Sequence, residues 1–200
     1  WAWTYNESLV IDESISIVGN SSSSTTIFSG YDEYDSSYPF AVNIVSNDVS
    51  ISNINFTVTN NSYSGIIRSS SSNTVLTQLK LHYTLTNWDI PDEARAIHLT
   101  GSSSTVSYSQ LINGGMHCVE IDGTGTIIRN NLFDSRNYYG GGTSACNIDI
   151  GSNGNIFENN TIDVIAYSVA VTGDNNKILN NTFSGCISSY GCIRLLHSDN

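Results

Sequence analysis

Ile128-Arg129-Asn130-Asn131-Leu132-Phe133, Phe157-Glu158-Asn159-Asn160-Thr161-Ile162 and Ile178-Leu179-Asn180-Asn181-Thr182-Phe183 are three copies of one pattern, apolar-x-Asn-Asn-x-apolar. Ile51-Ser52-Asn53-Ile54-Asn55-Phe56 fits with one change, and Leu76-Thr77-Gln78-Leu79-Lys80-Leu81 fits with Gln for the first Asn. Ser107-Tyr108-Ser109-Gln110-Leu111-Ile112 is the weakest copy. Upstream of each copy lies a short alternation of apolar and polar residues, as a strand with one buried face requires. These are Val42-Asn43-Ile44, Ile67-Arg68-Ser69, Ile97-His98-Leu99, Val119-Glu120-Ile121, Ile148-Asp149-Ile150 and Val169-Ala170-Val171. The offset from strand to motif is 9 residues in five cases (42 to 51, 67 to 76, 119 to 128, 148 to 157, 169 to 178) and 10 in the sixth (97 to 107).

A fixed offset repeated along the chain is the mark of a solenoid. On this reading the positions equivalent to Asn130 are Asn53, Gln78, Ser109, Asn130, Asn159 and Asn180, spaced by 25, 31, 21, 29 and 21 residues. The shortest spacing is one bare coil, and the excess falls in loops at one corner. Neighbouring coils would stack about 4.8 Å apart. A buried amide without a partner costs a few kcal/mol, so these six residues are expected to form a ladder, each bonded to its neighbour and to the turn backbone.

Composition agrees. The chain has 200 residues, of which 39% are hydrophobic and only 12% charged. Its polarity comes from 32 Ser, 24 Asn and 17 Thr. With two lysines and one methionine it lacks the residues that build long helices. The formal charge of −11 argues against nucleic acid or an anionic membrane surface as partner. No apolar run approaches the roughly 20 residues of a membrane span.

The repeat resembles that of the right-handed parallel β-helix proteins of the pectin-lyase-like superfamily. The opening Trp3-Thr4-Tyr5-Asn6-Glu7-Ser8-Leu9-Val10-Ile11-Asp12-Glu13-Ser14-Ile15-Ser16-Ile17-Val18-Gly19 is similar to the first coils of NosD-type surface and periplasmic β-helices. The expected fold is all-β, a single-stranded parallel β-helix of about seven to eight coils, with residues 1–200 forming one domain. Cys192-Ile193-Arg194-Leu195 begins a further coil, and no amphipathic capping helix is visible at either end. A fragment of a longer solenoid, or a unit assembling end to end, is therefore expected. The fold hosts enzymes, adhesins and surface-layer proteins alike, so the resemblance leaves function open.

In the enzymes of this superfamily, substrate lies on the outer face of the strand that corresponds to the first signature. The outward positions here are Asn43, Arg68, His98, Glu120, Asp149, Ala170 and Arg194. His98, Glu120 and Asp149 are thus expected as neighbours on three consecutive coils, with Asp122 beside Glu120. Three readings stay open. The carboxylates are a solvated acidic stripe balanced by His98 and Arg68. Alternatively Glu120, Asp122 and Asp149 bind a hard cation such as Ca²⁺ through oxygen. In the third reading Glu120 and Asp149, about 5 Å apart, form an acid–base pair with His98. No pectate-lyase Arg, polygalacturonase Asp cluster or pectin-esterase Asp pair is found, and no cofactor is required. Long loops at 84–95 and 134–145 flank this face. Trp88, Tyr138 and Tyr139 in them are candidates for stacking on sugar rings, or simply cover apolar corners. Tyr31, Tyr34 and Tyr38, with Asp32, Glu33 and Asp35, form an acidic aromatic insertion.

Four cysteines in no zinc-like spacing suit two disulfides in an oxidising compartment. Cys118 and Cys146 fall on adjacent coils, one residue out of register, and Cys186 and Cys192 could close a corner loop. Sequons begin at Asn6, Asn20, Asn55, Asn60, Asn159 and Asn180, so glycosylation is permitted. The sequence thus points to a secreted or cell-surface structural or adhesive solenoid. Its expected partners are other copies of itself, cell-envelope components or polysaccharide. The alternative is a polysaccharide-active lyase or hydrolase using Glu120, Asp149 and His98.

Overall fold

The structure, a computed structural model, describes residues 4–6, 9–20, 26–29, 40–59, 65–84, 95–112, 117–134, 147–163, 169–185 and 191–196. Every described strand pairs in parallel with the strand one coil above or below, so the chain is a parallel β-solenoid. Among the described residues the coils build three sheets, of eight, eight and seven strands. The first sheet runs from Thr4–Asn6 to Thr182–Ser184, the second from Leu9–Ile11 to Ile193–Leu195, and the third from Ser16–Val18 to Lys177–Leu179. The chain visits them in that order and then returns to the first. No helix among the described residues is long and apolar enough to cross a membrane.

Alternation in the sequence becomes inside and outside in the structure. All six signature triplets lie on the second sheet, in register: Val42, Ile67, Ile97, Val119, Ile148 and Val169 stack inward. The third sheet contributes Ile51, Leu76, Val106, Ile128 and Phe157, and the first contributes Phe56, Leu81, Leu111, Phe133 and Ile162, all buried. Phe133 and Phe157 touch across the interior with ring centroids 5.9 Å apart. At about 25 cal/mol per Å² of apolar surface removed from water, this column is the main source of cohesion.

The Asn-Asn motif is a corner between the third and first sheets. Its first residue has positive φ in every copy: Asn53, Gln78, Tyr108, Asn130, Asn159 and Asn180 all lie between 52° and 57°. Asn tolerates the left-handed region better than most residues, which explains its recurrence here. This overturns the expected ladder in two ways. The copy around Ser109 begins at Val106 rather than Ser107, because Val106 is paired with Leu76 and Ile128. The offset is therefore nine residues in all six coils, and Tyr108, not Ser109, stands at the bend. Moreover, Asn53, Gln78, Asn130, Asn159 and Asn180 make the bend rather than the ladder.

The ladder is built from the second residue of the motif. Asn131 and Asn160 are buried, and Asn181 is half-buried. Asn131 Oδ1 accepts from the backbone N–H of Ser109 at 2.9 Å, Asn160 Oδ1 from that of Asn131 at 3.0 Å, and Asn181 Oδ1 from that of Asn160 at 2.8 Å. The amide nitrogens of Asn131 and Asn160 also donate up the column, at 3.1 and 3.0 Å, and bond inward to the carbonyls of Val106 and Ile128. Ser109 caps the run, its hydroxyl accepting from the N–H of Leu79 at 3.1 Å. Of the residues expected in the ladder, Ser109 alone belongs to it.

The corner between the second and third sheets repeats the device. Asp48, Asn73, Ser103, Gly125, Gly154 and Asn175 have positive φ. Behind them Asn155 and Asn176 accept from the backbone N–H groups of Thr126 and Asn155 at 2.7 and 2.8 Å. Here coils also approach too closely for any side chain. A Cβ on Gly123 would lie 1.9 Å from the carbonyl oxygen of Gly101.

Candidate functional site

The outer face of the second sheet carries the charged residues the sequence places there. Asn43, Arg68, His98, Glu120, Asp149, Ala170 and Arg194 are register partners from coil to coil. His98, Glu120 and Asp149 are therefore neighbours on three consecutive strands, Arg95–Leu99, His117–Ile121 and Asn147–Ile150.

Two further side chains join them for a reason that alternation does not reveal. Ala96 and Ile97 are both fully buried, as are Cys118 and Val119 on the next coil. Register slips between His117 and Val119 against Asn147 and Ile148, leaving Cys118 as the extra residue of a β-bulge. A bulge turns consecutive residues to one side. Arg95 and His117, which are register partners, thereby share the outer side with His98 and Glu120. Arg95 opens a strand rather than closing the loop to which the sequence reading assigned it.

The pairs run diagonally, from a cationic or imidazole group on one coil to a carboxylate on the next. Arg95 Nε donates to Glu120 Oε2. His98 Nε2 lies 2.9 Å from Asp122 Oδ2 and 3.8 Å from Glu120 Oε2. His117 Nδ1 lies 2.5 Å from Asp149 Oδ2. Asp122 is about half exposed, at 49%, whereas the other side chains in these pairs are 15–30% exposed. Burial lowers the pKa of His98 below its ordinary value of 6.5, opposed by Asp122 and reinforced by Arg95 and Arg68. Phe40 lies beside its ring, centroids 6.4 Å apart, and contributes to that burial. His98 is thus mostly neutral at neutral pH.

This arrangement alters the expected roles. Glu120 and Asp149 are not a bare carboxylate pair, because each is bound to a different basic side chain. The expected oxygen-only cation set of Glu120, Asp122 and Asp149 is also divided, since Asp149 turns to His117. The set whose ligand atoms gather within 4.8 Å is His98, Glu120 and Asp122. His117 is not among the residues that the sequence singles out. Its signal was the doubled apolar pair Cys118-Val119, which breaks the alternation.

Trp88, Tyr138 and Tyr139 lie outside the described residues, as do the Tyr31–Tyr38 insertion, Asn60 and the side chain of Asn6. Asn20 is exposed and Asn55 half-buried. Cys118 and Cys192 are both disulfide-bonded, and Cys146 and Cys186 lie outside the described residues. A second surface was not foreseen. A shallow polar groove of about 710 Å³ follows the left-handed bends, lined among others by Asn53, Gln78, Tyr108, Asn130 and Asn159.

No protein-family model matches the chain, and no curated protein matches it. Among solved structures the chain is similar to an alginate lyase from Paenibacillus sp. str. FPU-7, at 12% identity and a TM-score of 0.41, over 96% of this chain and 91% of that one.

Proposed function

We propose that the chain is a secreted or cell-surface adhesive solenoid that holds a neutral polysaccharide against the outer face of its second sheet. The observation that carries this reading is the lattice of polar contacts, an Arg95–Glu120 ion pair with His98–Asp122 and His117–Asp149 contacts, on adjacent coils. In a chain with so few charges, their concentration on one face favours a binding role. Because the acids are held by partners, they offer fixed hydrogen-bond acceptors rather than a proton ready for transfer. Arg68 and Arg95 against Glu120, Asp122 and Asp149 leave a formal charge of −1 on the strip, the histidines not counted, which favours a neutral sugar polymer over a polyuronate. The disulfide-bonded Cys118 and Cys192 support an oxidising compartment.

Affinity electrophoresis through gels containing neutral or acidic polysaccharides tests this. A neutral polymer should retard the protein, and Arg95→Ala should weaken retardation roughly tenfold, the loss of one charge-assisted contact. No retardation by any polymer, or retardation indifferent to Arg95, would sink it.

One observation favours a catalytic reading as the alternative. His98 is kept neutral by burial and is held by Asp122 at 2.9 Å, the two things a general base needs. On that reading sugar chains would be cut, and Asp149→Asn, Glu120→Gln or His98→Gln would abolish turnover while the circular dichroism spectrum stayed unchanged.

A further inference from the structure

We infer that His98, Glu120 and Asp122 form a binding site for a borderline divalent metal ion of the Zn²⁺ class, bridging two coils of the second sheet. It is independent of the proposed sugar binding, because metal uptake is measured without any polysaccharide.

One ring nitrogen and two carboxylate oxygens converge within 4.8 Å. The nitrogen, His98 Nε2, faces both acids at once, 2.9 Å from Asp122 Oδ2 and 3.8 Å from Glu120 Oε2. A metal at the centre would replace the proton shared between His98 and Asp122. Position is fixed by the fold. His98 and Glu120 are register partners on adjacent strands, and Asp122 follows the second of them on the same outer side. Asp122 has room because the next coil carries Gly151 there, where a Cβ would lie 2.9 Å from Asp122 Oδ1.

The donor set chooses the ion. Ca²⁺ takes six to eight oxygens, and this cluster offers a nitrogen and few acids. One imidazole with two carboxylates supplies the three protein ligands of an open-sided Zn²⁺ site, all of types that Zn²⁺ accepts, with solvent completing the shell. Asp122 lies at the exposed edge and leaves that side open. Arg95 acts against the ion, because its guanidinium is bound to Glu120 and carries like charge.

Isothermal titration of the chelator-treated chain with ZnCl₂ and with CaCl₂ at pH 7.5 tests this. One equivalent of Zn²⁺ should bind, at least tenfold tighter than Ca²⁺. His98→Gln and Asp122→Asn should each weaken it about a hundredfold. Asp122→Asn is the variant least able to disturb folding. Arg95→Gln should strengthen it several-fold, because a like charge beside Glu120 is removed. His82→Gln, on the first sheet, should change nothing. Co²⁺ in place of Zn²⁺ should give visible absorption bands that vanish in His98→Gln. Absence of binding, a preference for Ca²⁺, or titrations indifferent to His98 and Asp122 would each overturn the site.

Discussion

The buried corner at Asn131, Asn160 and Asn181 and the outer face at Arg95, Glu120 and Asp149 both join one coil to the next through side chains, but by opposite rules. In the corner, like stands on like, because an amide both donates and accepts and so partners its own copy. On the face, unlike stands diagonal to unlike, because a charge pairs only with its opposite. At Asn131 and Asn160 the corner is buried, so a lapse there leaves an orphaned polar group. The face points outward and is partly exposed, so a polar replacement there leaves the buried column in place. Repetition in the corner therefore reflects folding, whereas the departure from repetition on the face is where function is written.

The comparison can be broken most forcefully at Asn160. Asn160→Ala removes the acceptor for the N–H and amide of Asn131 and the donor to Ile128, and should cost about 3 kcal/mol, read as a drop in urea midpoint. A loss under about 1 kcal/mol would mean that water replaces the ladder. One residue earlier, Asn159→Ala should cost about 1 kcal/mol through left-handed strain alone, and Asn159→Gly close to nothing. Equal losses at 159 and 160 would refute the division of labour within the Asn-Asn pair. On the face, Glu120→Gln should cost about 1 kcal/mol or less, because the amide keeps an acceptor for Arg95.

The smallest effect is a pH dependence. The pKa of His82 is lowered by burial and by Lys80, and that of His98 by burial foremost. The unfolded chain thus takes up protons first, and stability should fall as pH drops through the ordinary value of 6.5. Urea midpoints at pH 7.5 and 5.5 would show it, and His82→Gln should flatten the difference. Greater stability at the acid value would contradict the sign.

Much of this was legible in the sequence. Apolar alternation and the constant offset placed the second sheet and its outer row from Asn43 to Arg194 without error. The ladder was displaced by one residue. Two adjacent asparagines look alike as letters, and only φ and burial separate the one that bends the chain from the one that fills the corner. The copy at Val106 was misaligned for a similar reason, since Tyr108 and Ser109 carry neither Asn. Arg95 and His117 were missed because a bulge cancels the alternation that assigns sides, and the doubled apolar pairs Ala96-Ile97 and Cys118-Val119 were its only trace. His98 and Asp122 lie 24 residues apart and form no local motif.

The nine-residue step between second-sheet strand and corner has an evolutionary corollary. Each turn meets the lower edge of the next with its upper edge, and these edges are alike along the stack. A duplication or excision of one whole turn, such as residues 131–159, would restore a matching joint on both sides. The molecule can thus change its length in quanta while the face that carries Arg95, His98 and Glu120 is transported intact.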